Sequence, residues 1–289
     1  ITVAGGQAIY VVADVGQEAD VRRIAEAAIQ KFSGFDTWVN NAGVSIYGRV
    51  LDVSMDDHRQ LFETNYWGLV HGSRVAATHL RKRGGAIINV GSSLSDRAIP
   101  LQGTYCASKH AVKGYTDALR MELEEEGAPI SVTLIKPSAI DTPYKDHAKN
   151  YLSVEPQNPP PVYAPETVAE AILYSAEHPE RDVFVGAGGK AISVSGEYAP
   201  RLTDKVMKAA LFDIQQTEQP SSEDRKDGLY HASEDLRERG GYDGHVAESS
   251  LYTKATLHPL ITGALLLGSG LALAAWWHTN SDSNGQSKG

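Results

Sequence analysis

Short apolar runs alternate along the chain with longer segments in which apolar residues recur every three or four positions. The apolar runs are typical of buried strands, and the recurring pattern is typical of amphipathic helices. The predicted strands cover residues 8–13, 36–39, 86–90, 130–135 and 182–186, and the predicted helices cover residues 21–32, 56–83, 105–125, 165–176 and 202–212. The length of 289 residues suits one α/β domain followed by an extension.

One stretch, residues 91–109, joins the end of a predicted strand to the start of a predicted helix. Tyr105 and Lys109 are four residues apart, so a helix places both side chains on one face, one turn apart. Ser92 lies thirteen residues before Tyr105, directly after the apolar run 86–90. The pattern therefore predicts that a serine hydroxyl and a phenol meet over one pocket.

The pairing of a tyrosine with a lysine indicates a specific chemistry. A free phenol has a pKa of about 10, which is too high for an efficient base near neutral pH. We expect the Lys109 ammonium to stabilise the phenolate and to lower the pKa of Tyr105 toward the working pH. The Ser92 hydroxyl then holds the substrate oxygen, and Ser93 is the other candidate for this role. This set suits hydride transfer at a carbinol or carbonyl carbon with a cofactor as the hydride partner.

Tyr-x-x-x-Lys alone is a weak pattern, because most chance occurrences are a half-buried tyrosine beside a surface lysine. Three further stretches strengthen it: residues 40–43, residues 63–68 around Asn65, and residues 137–142 after another apolar run. With these motifs in this order, residues 1 to about 190 resemble the short-chain dehydrogenase/reductase family, of its classical type. The resemblance implies an α/β fold with a Rossmann-type doubly wound parallel sheet.

The resemblance also implies a catalytic tetrad of Asn65, Ser92, Tyr105 and Lys109. In the family the tyrosine is the acid/base and the serine orients the substrate. The lysine binds the nicotinamide ribose and tunes the tyrosine, and the asparagine holds a water in the proton relay. From the residues alone, Asn65 in the middle of a helix indicates either a local distortion or simple surface exposure.

A nicotinamide cofactor, NAD or NADP, is implied as well. Its contacts map onto two loops, the carboxyl end of the first predicted strand, and the catalytic helix: Asp14, Asn40, Ala42, Gly43, Tyr105, Lys109, Pro137, Ile140 and Thr142. By resemblance Asp14 contacts the adenine ring, and a helix N-cap or turn aspartate is also a reasonable interpretation. Thr142 is the expected side-chain contact and Ile140 a backbone contact, in a loop whose usual glycine is replaced by Ser138.

The start of the family pattern does not appear. No Gly-x-x-x-Gly-x-Gly turn precedes residue 8, and the strand whose end selects NAD or NADP is not found either. We therefore expect the chain to be N-terminally truncated by about one strand-helix-strand unit. The family's sheet order places the two missing strands between those of residues 8–13 and 36–39. The chain as given is expected to bind no nicotinamide cofactor measurably, and so to be inactive by itself.

Composition limits which partners and which cellular location are expected for the protein. The formal net charge of −9 argues against nucleic acid. The single cysteine, Cys106, excludes an intramolecular disulfide and favours a reducing, cytoplasmic location for the catalytic domain. No histidine pair has convincing metal spacing, so no metal site is predicted. The resemblance implies a homodimer built on the catalytic helix and the helix before it.

Residues 144–163 are rich in proline and aromatic residues and predict a lid in which Tyr144, His147 and Tyr151 line an apolar substrate pocket. The chain divides into a catalytic domain (1–195), a helix with a flexible polar linker (196–256), a transmembrane helix (257–278) and a polar tail (279–289). Within these bounds residues 259–277 carry no charge, and a helix of that length is close to the thickness of a bilayer. A buried hairpin or core helix is the alternative.

The sequence thus predicts a membrane-tethered NAD(P)-dependent oxidoreductase that interconverts an alcohol and a ketone or aldehyde. Its substrate is a small molecule, and an apolar pocket favours a lipophilic one. The alternative is a non-catalytic binding or scaffold protein that keeps the fold.

Overall fold

The computed structural model describes residues 1–222, 224–233 and 235–264. Its helices are α1 (Glu18–Phe32), α2 (Met55–Phe62), α3 (Gly68–Leu80), α4 (Gly103–Glu125), α5 (Tyr144–His147), α6 (Pro165–Glu177), α7 (Ala187–Tyr198), α8 (Pro200–Ile214) and α9 (Leu251–Leu257). Its strands are β1 (Thr37–Asn40), β2 (Ile46–Tyr47), β3 (Gly85–Val90), β4 (Ile130–Pro137), β5 (Ala139–Ile140), β6 (Lys149–Asn150), β7 (Val154–Pro156), β8 (Val162–Tyr163), β9 (Asp182–Val185), β10 (Gln216–Pro220) and β11 (Val246–Ala247). Short 3-10 turns lie at Thr2–Ala4 and Ser93–Ser95, and a π-helical segment at Glu63–Trp67 joins α2 to α3.

The central sheet has four parallel strands in the order β1-β3-β4-β9. Its strands are apolar runs because helices cover both faces, which leaves no solvated side. On one face α3 and α4 pack through a cluster that joins Leu80 and Leu123 to Ile87 of β3. On the other face α6 and α9 pack against Ile88 and Ile135. The predicted α/β parallel sheet is confirmed.

Three small sheets stand at the carboxyl ends of these strands: β2 with β6, β7 with β10, and β5 with β8 and β11. They are built from the chain after β1, from the loop after β4, from the predicted lid and from the C-terminal extension. Ligands of open α/β sheets bind at the carboxyl ends of the strands. The small sheets therefore build walls on the side of the sheet where a ligand is expected.

The predicted strand at residues 8–13 is not formed. This segment has no strand assignment and lies largely in solvent, with Tyr10 90% and Val12 82% exposed. A strand needs a neighbour for its backbone N–H and C=O groups, and within the described residues this segment pairs with none. An apolar run indicates a tendency to be buried, but it does not show that a neighbouring strand is available for pairing. The prediction was wrong for this reason.

The predicted single helix at 56–83 consists of α2, the π-helical segment and α3. The π-helical segment is centred on Asn65, whose side chain is only 1% exposed. The expected local distortion is therefore confirmed, and the alternative of surface exposure is wrong. Single turns of π-helix inside α-helices are frequent at functional sites.

The C-terminal extension packs on the catalytic domain, in contrast to the predicted flexible linker. β10 pairs with β7 and β11 pairs with β8. α9 packs against β9, where the Thr253 hydroxyl accepts from Gly186 N at 3.1 Å. Individual polar side chains, the isolated apolar Leu229 and two short ladders hold this segment, and such single anchors leave no periodic apolar pattern in the sequence. The prediction of a flexible linker is wrong for the described residues of 215–250.

The predicted transmembrane helix, 257–278, and the tail, 279–289, fall mostly outside the described residues. In the part of the chain that the structure covers, no helix is both long and apolar enough to cross a membrane. Leu257, the first residue of the predicted span, ends α9 and is buried against the sheet.

Candidate active site

A cavity of about 870 Å³ lies at the carboxyl ends of β1, β3 and β4. The turn after β3, the loop after β4, the predicted lid and α7 complete its walls. Three of the four predicted catalytic residues line it: Ser92, Tyr105 and Lys109. The topology thus brings together side chains that come from one strand end and one helix.

Ser92 is fixed by hydrogen bonds on both of its sides. Its hydroxyl accepts from Leu94 N at 3.1 Å, and its own backbone N–H donates to Ser95 Oγ at 3.1 Å. This reciprocal pattern is a capping box at the start of the 3-10 turn. Ser93, the alternative, also lines the cavity, but its Cβ packs against Gly189 of α7.

Tyr105 lies in the first turn of α4 and is buried, with its ring edge-on to Tyr144 at 5.5 Å between centroids. Burial raises the pKa of Tyr105 to about 12, against the opposing effect of hydrogen bonding to the Ser92 and Tyr144 hydroxyls. The predicted lowering of this pKa is wrong for this structure. Loss of water disfavours the phenolate more than the neighbouring groups favour it.

Lys109 follows one turn later on the same face and is also buried. Its ammonium donates to the Val90 carbonyl at 2.8 Å and stands 5.7 Å from the centre of the Tyr105 ring. Burial lowers the pKa of Lys109 to about 8. A cationic group with a pKa near neutrality therefore lies beside the phenol.

Asn65 stands behind the cavity rather than in its wall. Its Oδ1 accepts from Val44 N at 2.8 Å, and its Nδ2 donates to Val44 O at 2.9 Å and to Ser108 Oγ at 3.1 Å. These bonds connect the turn after β1 with α4, which carries Tyr105. Asn65 thus holds the two sides of the site together.

The Asn40 side chain points away from the cavity, contrary to its assignment as a cofactor contact. Its Oδ1 accepts from Trp38 Nε1 at 2.8 Å, and its Nδ2 donates to Ser73 Oγ at 3.0 Å and to Asn89 Oδ1 at 2.8 Å. These bonds connect β1 with β3 and α3. The polarity that suggested a ligand contact is satisfied inside the protein.

Two other predicted cofactor residues, Asp14 and Ala42, are not among the residues that line the cavity. The Asp14 carboxylate accepts from Gly16 N at 2.9 Å, which is the turn role that its alternative interpretation gave. Beside Ala42, Gly43 lines the cavity, and so does Asn41, which the sequence interpretation missed. Asn41 follows β1 directly, and that position was the signal that could have found it.

The loop after β4 contributes Pro137, Ile140 and Thr142 to the cavity, as the sequence led us to expect. Ser138 replaces the usual glycine of this loop for a visible reason. Its hydroxyl accepts from Gly189 N at 3.0 Å, so it ties the loop to α7.

On the substrate side the cavity is mainly apolar, with walls from Leu94, Ile99, Tyr144, Ile192 and Leu211. The Tyr144 phenol donates to Gln102 Oε1 at 2.9 Å and lies 2.7 Å from Ser45 Oγ. Sequence reasoning missed Ser45 and Gln102, because nothing in their local pattern separates them from other polar residues at element ends.

Of the three lid residues expected in the pocket, Tyr144 and His147 line it. Tyr151 instead donates to the buried carboxylate of Asp57 at 2.6 Å. Leu211, which lies beyond the predicted domain end at residue 195, belongs to the cavity wall as well.

The residues at the other end of the cavity fit a nicotinamide cofactor. Gly43 presents backbone without a side chain, and a Cβ there would lie 3.9 Å from Lys109 Nζ. The Lys109 ammonium and the Thr142 hydroxyl supply hydrogen-bond donors to the same cavity. An open backbone approach beside cationic and hydroxyl donors suits a ribose and an amide.

The family model described as short chain dehydrogenase matches residues 1–151, which is more than half of the chain. The chain therefore belongs to the short-chain dehydrogenase/reductase family. It is an oxidoreductase that acts on CH–OH groups with NAD or NADP.

Two relatives are matched over more of the chain than the family model covers. An uncharacterized oxidoreductase of Bacillus subtilis, YxnA, is 48% identical over 275 residues, which cover 94% of this chain and 76% of that protein. A 3-ketodihydrosphingosine reductase of Bacteroides thetaiotaomicron is 32% identical over 178 residues, covering 61% of this chain and 62% of that protein. Two other uncharacterized oxidoreductases are matched over 56% and 50% of their own length.

Among solved structures, a short chain dehydrogenase of Burkholderia cenocepacia in complex with NADP superimposes with a TM-score of 0.58. It is 27% identical, and the match covers 68% of this chain and 77% of that chain. The fold assignment from the sheet order thus agrees with a member of the family that holds a nicotinamide cofactor.

Proposed function

We propose that the protein interconverts an apolar alcohol and its ketone or aldehyde, with Tyr105 as the acid/base. The observation that carries this proposal is the meeting of Ser92, Tyr105 and Lys109 in one cavity whose remaining substrate-side walls are apolar. The apolar walls favour a lipophilic substrate, because burial of apolar surface supplies its binding energy.

In the reductive direction the substrate carbonyl oxygen accepts hydrogen bonds from the Ser92 and Tyr105 hydroxyls. A nicotinamide held by Gly43, Lys109 and Thr142 would supply the hydride for the carbonyl carbon. As negative charge develops on the oxygen, the phenol proton of Tyr105 moves to it and a phenolate remains. The Lys109 ammonium then stabilises that phenolate, and oxidation of the alcohol reverses the same steps.

The two pKa shifts support this division of roles. Burial alone raises the pKa of Tyr105 and lowers the pKa of Lys109, because it penalises either charge separately. A phenolate and an ammonium formed side by side compensate each other in the same dry environment. Asn65 is proposed to keep this geometry through Val44 and Ser108, and to hold the water of the proton relay.

The test uses the full-length protein and a panel of ketones of increasing size, followed by nicotinamide absorbance. We expect Tyr105→Phe to lower kcat by about a hundredfold or more, because the acid/base proton is lost. Tyr115→Phe on the same helix is the matched control and should keep wild-type turnover. Equal turnover by Tyr105→Phe and the wild type removes Tyr105 from the mechanism. Absence of turnover by the wild type with every ketone favours the scaffold alternative.

We further propose that residues 259–277 anchor the protein to a membrane, with the catalytic domain on the cytoplasmic side. These nineteen residues include no charged side chain, and Leu260 at their start is 88% exposed. Transfer of such a segment into hydrocarbon is favourable. In flotation with lipid vesicles, we expect the whole chain to rise with the vesicles and the chain ending at His258 to stay below. If neither floats, the anchor is refuted.

A further inference from the structure

Residues 224–233, part of the C-terminal extension, run across the outside of the lid. We propose that this segment, called the brace below, is a positioning element of the active site. It holds the lid in its observed position and supports the wall on which Tyr105 lies, and so it determines which substrates fit. The structural part of this inference, the positioning of the lid, rests on contacts alone. Its catalytic part, the selection of substrates, rests on the proposed function.

The centre of the brace is an apolar plug. Leu229 is 2% exposed and packs in one cluster with Ile46, Leu61 and Tyr105. Its carbonyl accepts from Gln60 Nε2 at 3.2 Å. Leu229 thus belongs to the apolar packing around the catalytic tyrosine, although it is 124 residues further along the chain.

One end of the brace holds the short lid helix α5. The Arg225 guanidinium donates to the carbonyls of Lys145, Asp146 and Ala148 and is paired with Glu155. The last carbonyls of a helix have no partner within the helix, so this side chain satisfies groups that would otherwise need water. Arg225 therefore fixes the end of α5, the helix that includes Tyr144 and His147 of the cavity wall.

A second polar anchor joins the brace, the lid and α2 at one buried carboxylate. Asp57 accepts from Tyr230 of the brace at 2.7 Å and from Tyr151 of the lid at 2.6 Å. Backbone bonding reinforces the arrangement, since Gly228 N donates to His147 O at 2.7 Å. Each anchor links the brace to a different part of residues 144–151.

These contacts explain why a proline-rich loop has a defined position. A lid of this length without long elements is ordinarily mobile, and mobile lids close only on substrate. Here apolar, charged and hydroxyl anchors act on it together. The positions of Tyr144 and His147, and with them the room left for substrate, depend on the brace.

The structural part is tested by hydrogen exchange on the whole chain. In Leu229→Ala and in Arg225→Gln we expect amides of residues 144–152 to exchange about tenfold faster or more, with β4 unchanged. Leu236→Ala, at a side chain that is 91% exposed just after the brace, is the matched control and should leave exchange as in the wild type. Unchanged exchange of the lid in both brace variants overturns the proposal. Tyr230→Phe, which removes one hydroxyl only, serves as the milder variant if either of these fails to fold.

The catalytic part is tested by kinetics on the full-length protein. We expect Leu229→Ala to raise KM for a bulky ketone by about fivefold or more, with a smaller change in kcat, and Leu229→Met to restore most of the loss. An unchanged ratio of kcat/KM between bulky and small ketones overturns the role in specificity. If the wild-type protein reduces no ketone, the proposed function fails, and the exchange measurement alone then decides the brace.

Discussion

Tyr105 and Lys109 respond to burial in opposite directions. Each pays for its position in lost hydration, so the pKa of the phenol rises to about 12 and the pKa of the ammonium falls to about 8. Lys109 is held by a main-chain carbonyl and a ring face, and these offset only part of that loss. The site is thus arranged so that a proton leaving Tyr105 leaves its negative charge beside a cation.

Protein stability should record the Lys109 shift. Between pH 8 and 10 the unfolded chain keeps the lysine proton while the folded chain loses it, so stability rises with pH, by about 1.4 kcal/mol per unit. Against Lys109→Met, we expect the wild type to gain about 2 kcal/mol in free energy of unfolding between pH 8 and 9.5. Urea denaturation at several pH values measures this difference. Lys208→Met on the exposed side of α8 is the control and should show the same pH dependence of stability as the wild type. If Lys109→Met also shows the pH dependence of the wild type, the lowered pKa of Lys109 is contradicted.

Asn65 should matter for stability as well as for activity. Asn65→Ala leaves Val44 N–H, Val44 C=O and the Ser108 hydroxyl with one fewer partner each in a buried place. We expect a loss of about 2–4 kcal/mol in free energy of unfolding, measured in urea. Asn41→Ala, at an exposed neighbouring asparagine, should change stability by less than about 0.5 kcal/mol. Equal stability of the two variants would contradict the role of Asn65 in holding the turn after β1 to α4.

At the scale of single residues, the sequence predicted where the catalytic side chains lie better than it predicted their pKa values. The spacing of Ser92, Tyr105 and Lys109 follows from strand and helix geometry, and the structure brings all three to one cavity. The direction of the Tyr105 pKa shift depends on how much water the surrounding elements exclude, which no local pattern encodes. The inward direction of the Asn40 side chain was unpredictable for a related reason, since its partners Ser73 and Asn89 are distant in sequence.

At the scale of elements, the packing of α3 on the sheet depends on one glycine. A Cβ at Gly72 would approach Asn40 Oδ1 to 2.0 Å and Trp38 Nε1 to 2.8 Å. The hydrogen bonds that join β1 to β3 occupy the space where a side chain would go. This close approach explains a glycine in the middle of a helix, where alanine is intrinsically better.

Gly72→Ala should therefore destabilise the protein, by about 2 kcal/mol or more, because overpacking outweighs the gain in helix propensity. Gly114→Ala on α4 is the matched control. A Cβ there meets nothing within 4 Å, so the same change should stabilise by about 0.5–1 kcal/mol. Thermal unfolding of both variants tests the contrast, and a gain in stability for Gly72→Ala would show that the helix tolerates the added methyl group.

Strands were predictable where an apolar run in the sequence also has a neighbouring strand to pair with in the fold. The apolar runs at 86–90 and 130–135 have neighbours on both sides and became β3 and β4. The run at 8–13 looks the same in sequence but has no neighbour among the described residues. α7 was missed because its first turn contains Gly188 and Gly189, which argue against a helix. Gly189 nevertheless fits closely against Ser93 and Ser138.

For the molecule as a whole, the predicted domain boundaries were the weakest part of the sequence analysis. A boundary at residue 195 separates side chains that share one cavity, since Leu211 lines the wall beside Leu94 and Ile99. Gln215, fully buried, bonds to Gln102 at 2.7 Å. Polar composition alone suggested a linker, but these contacts are made one residue at a time and leave no periodic trace.

The homodimer stays a prediction, and the helices proposed for it expose suitable side chains. Trp67, just before α3, and Met121 on α4 are large apolar residues that lie open on the surface. Burial of such residues in a symmetric interface is favourable. We expect light scattering after size exclusion to give a dimer for the wild type and a monomer for Met121→Glu. Leu236→Glu, elsewhere on the surface, should stay dimeric, and a monomeric wild type would refute the dimer.

The docking of α9 on the face of the sheet, against β9, limits how far the enzyme can move from the residues that follow it. Thr253 and Leu257 are buried against β9 and its neighbours, and the uncharged stretch begins only two residues after Leu257. If that stretch enters a bilayer, hardly any slack remains between lipid and enzyme. The catalytic domain would then keep one distance and one orientation relative to the membrane surface. The opening of its cavity would face one fixed direction.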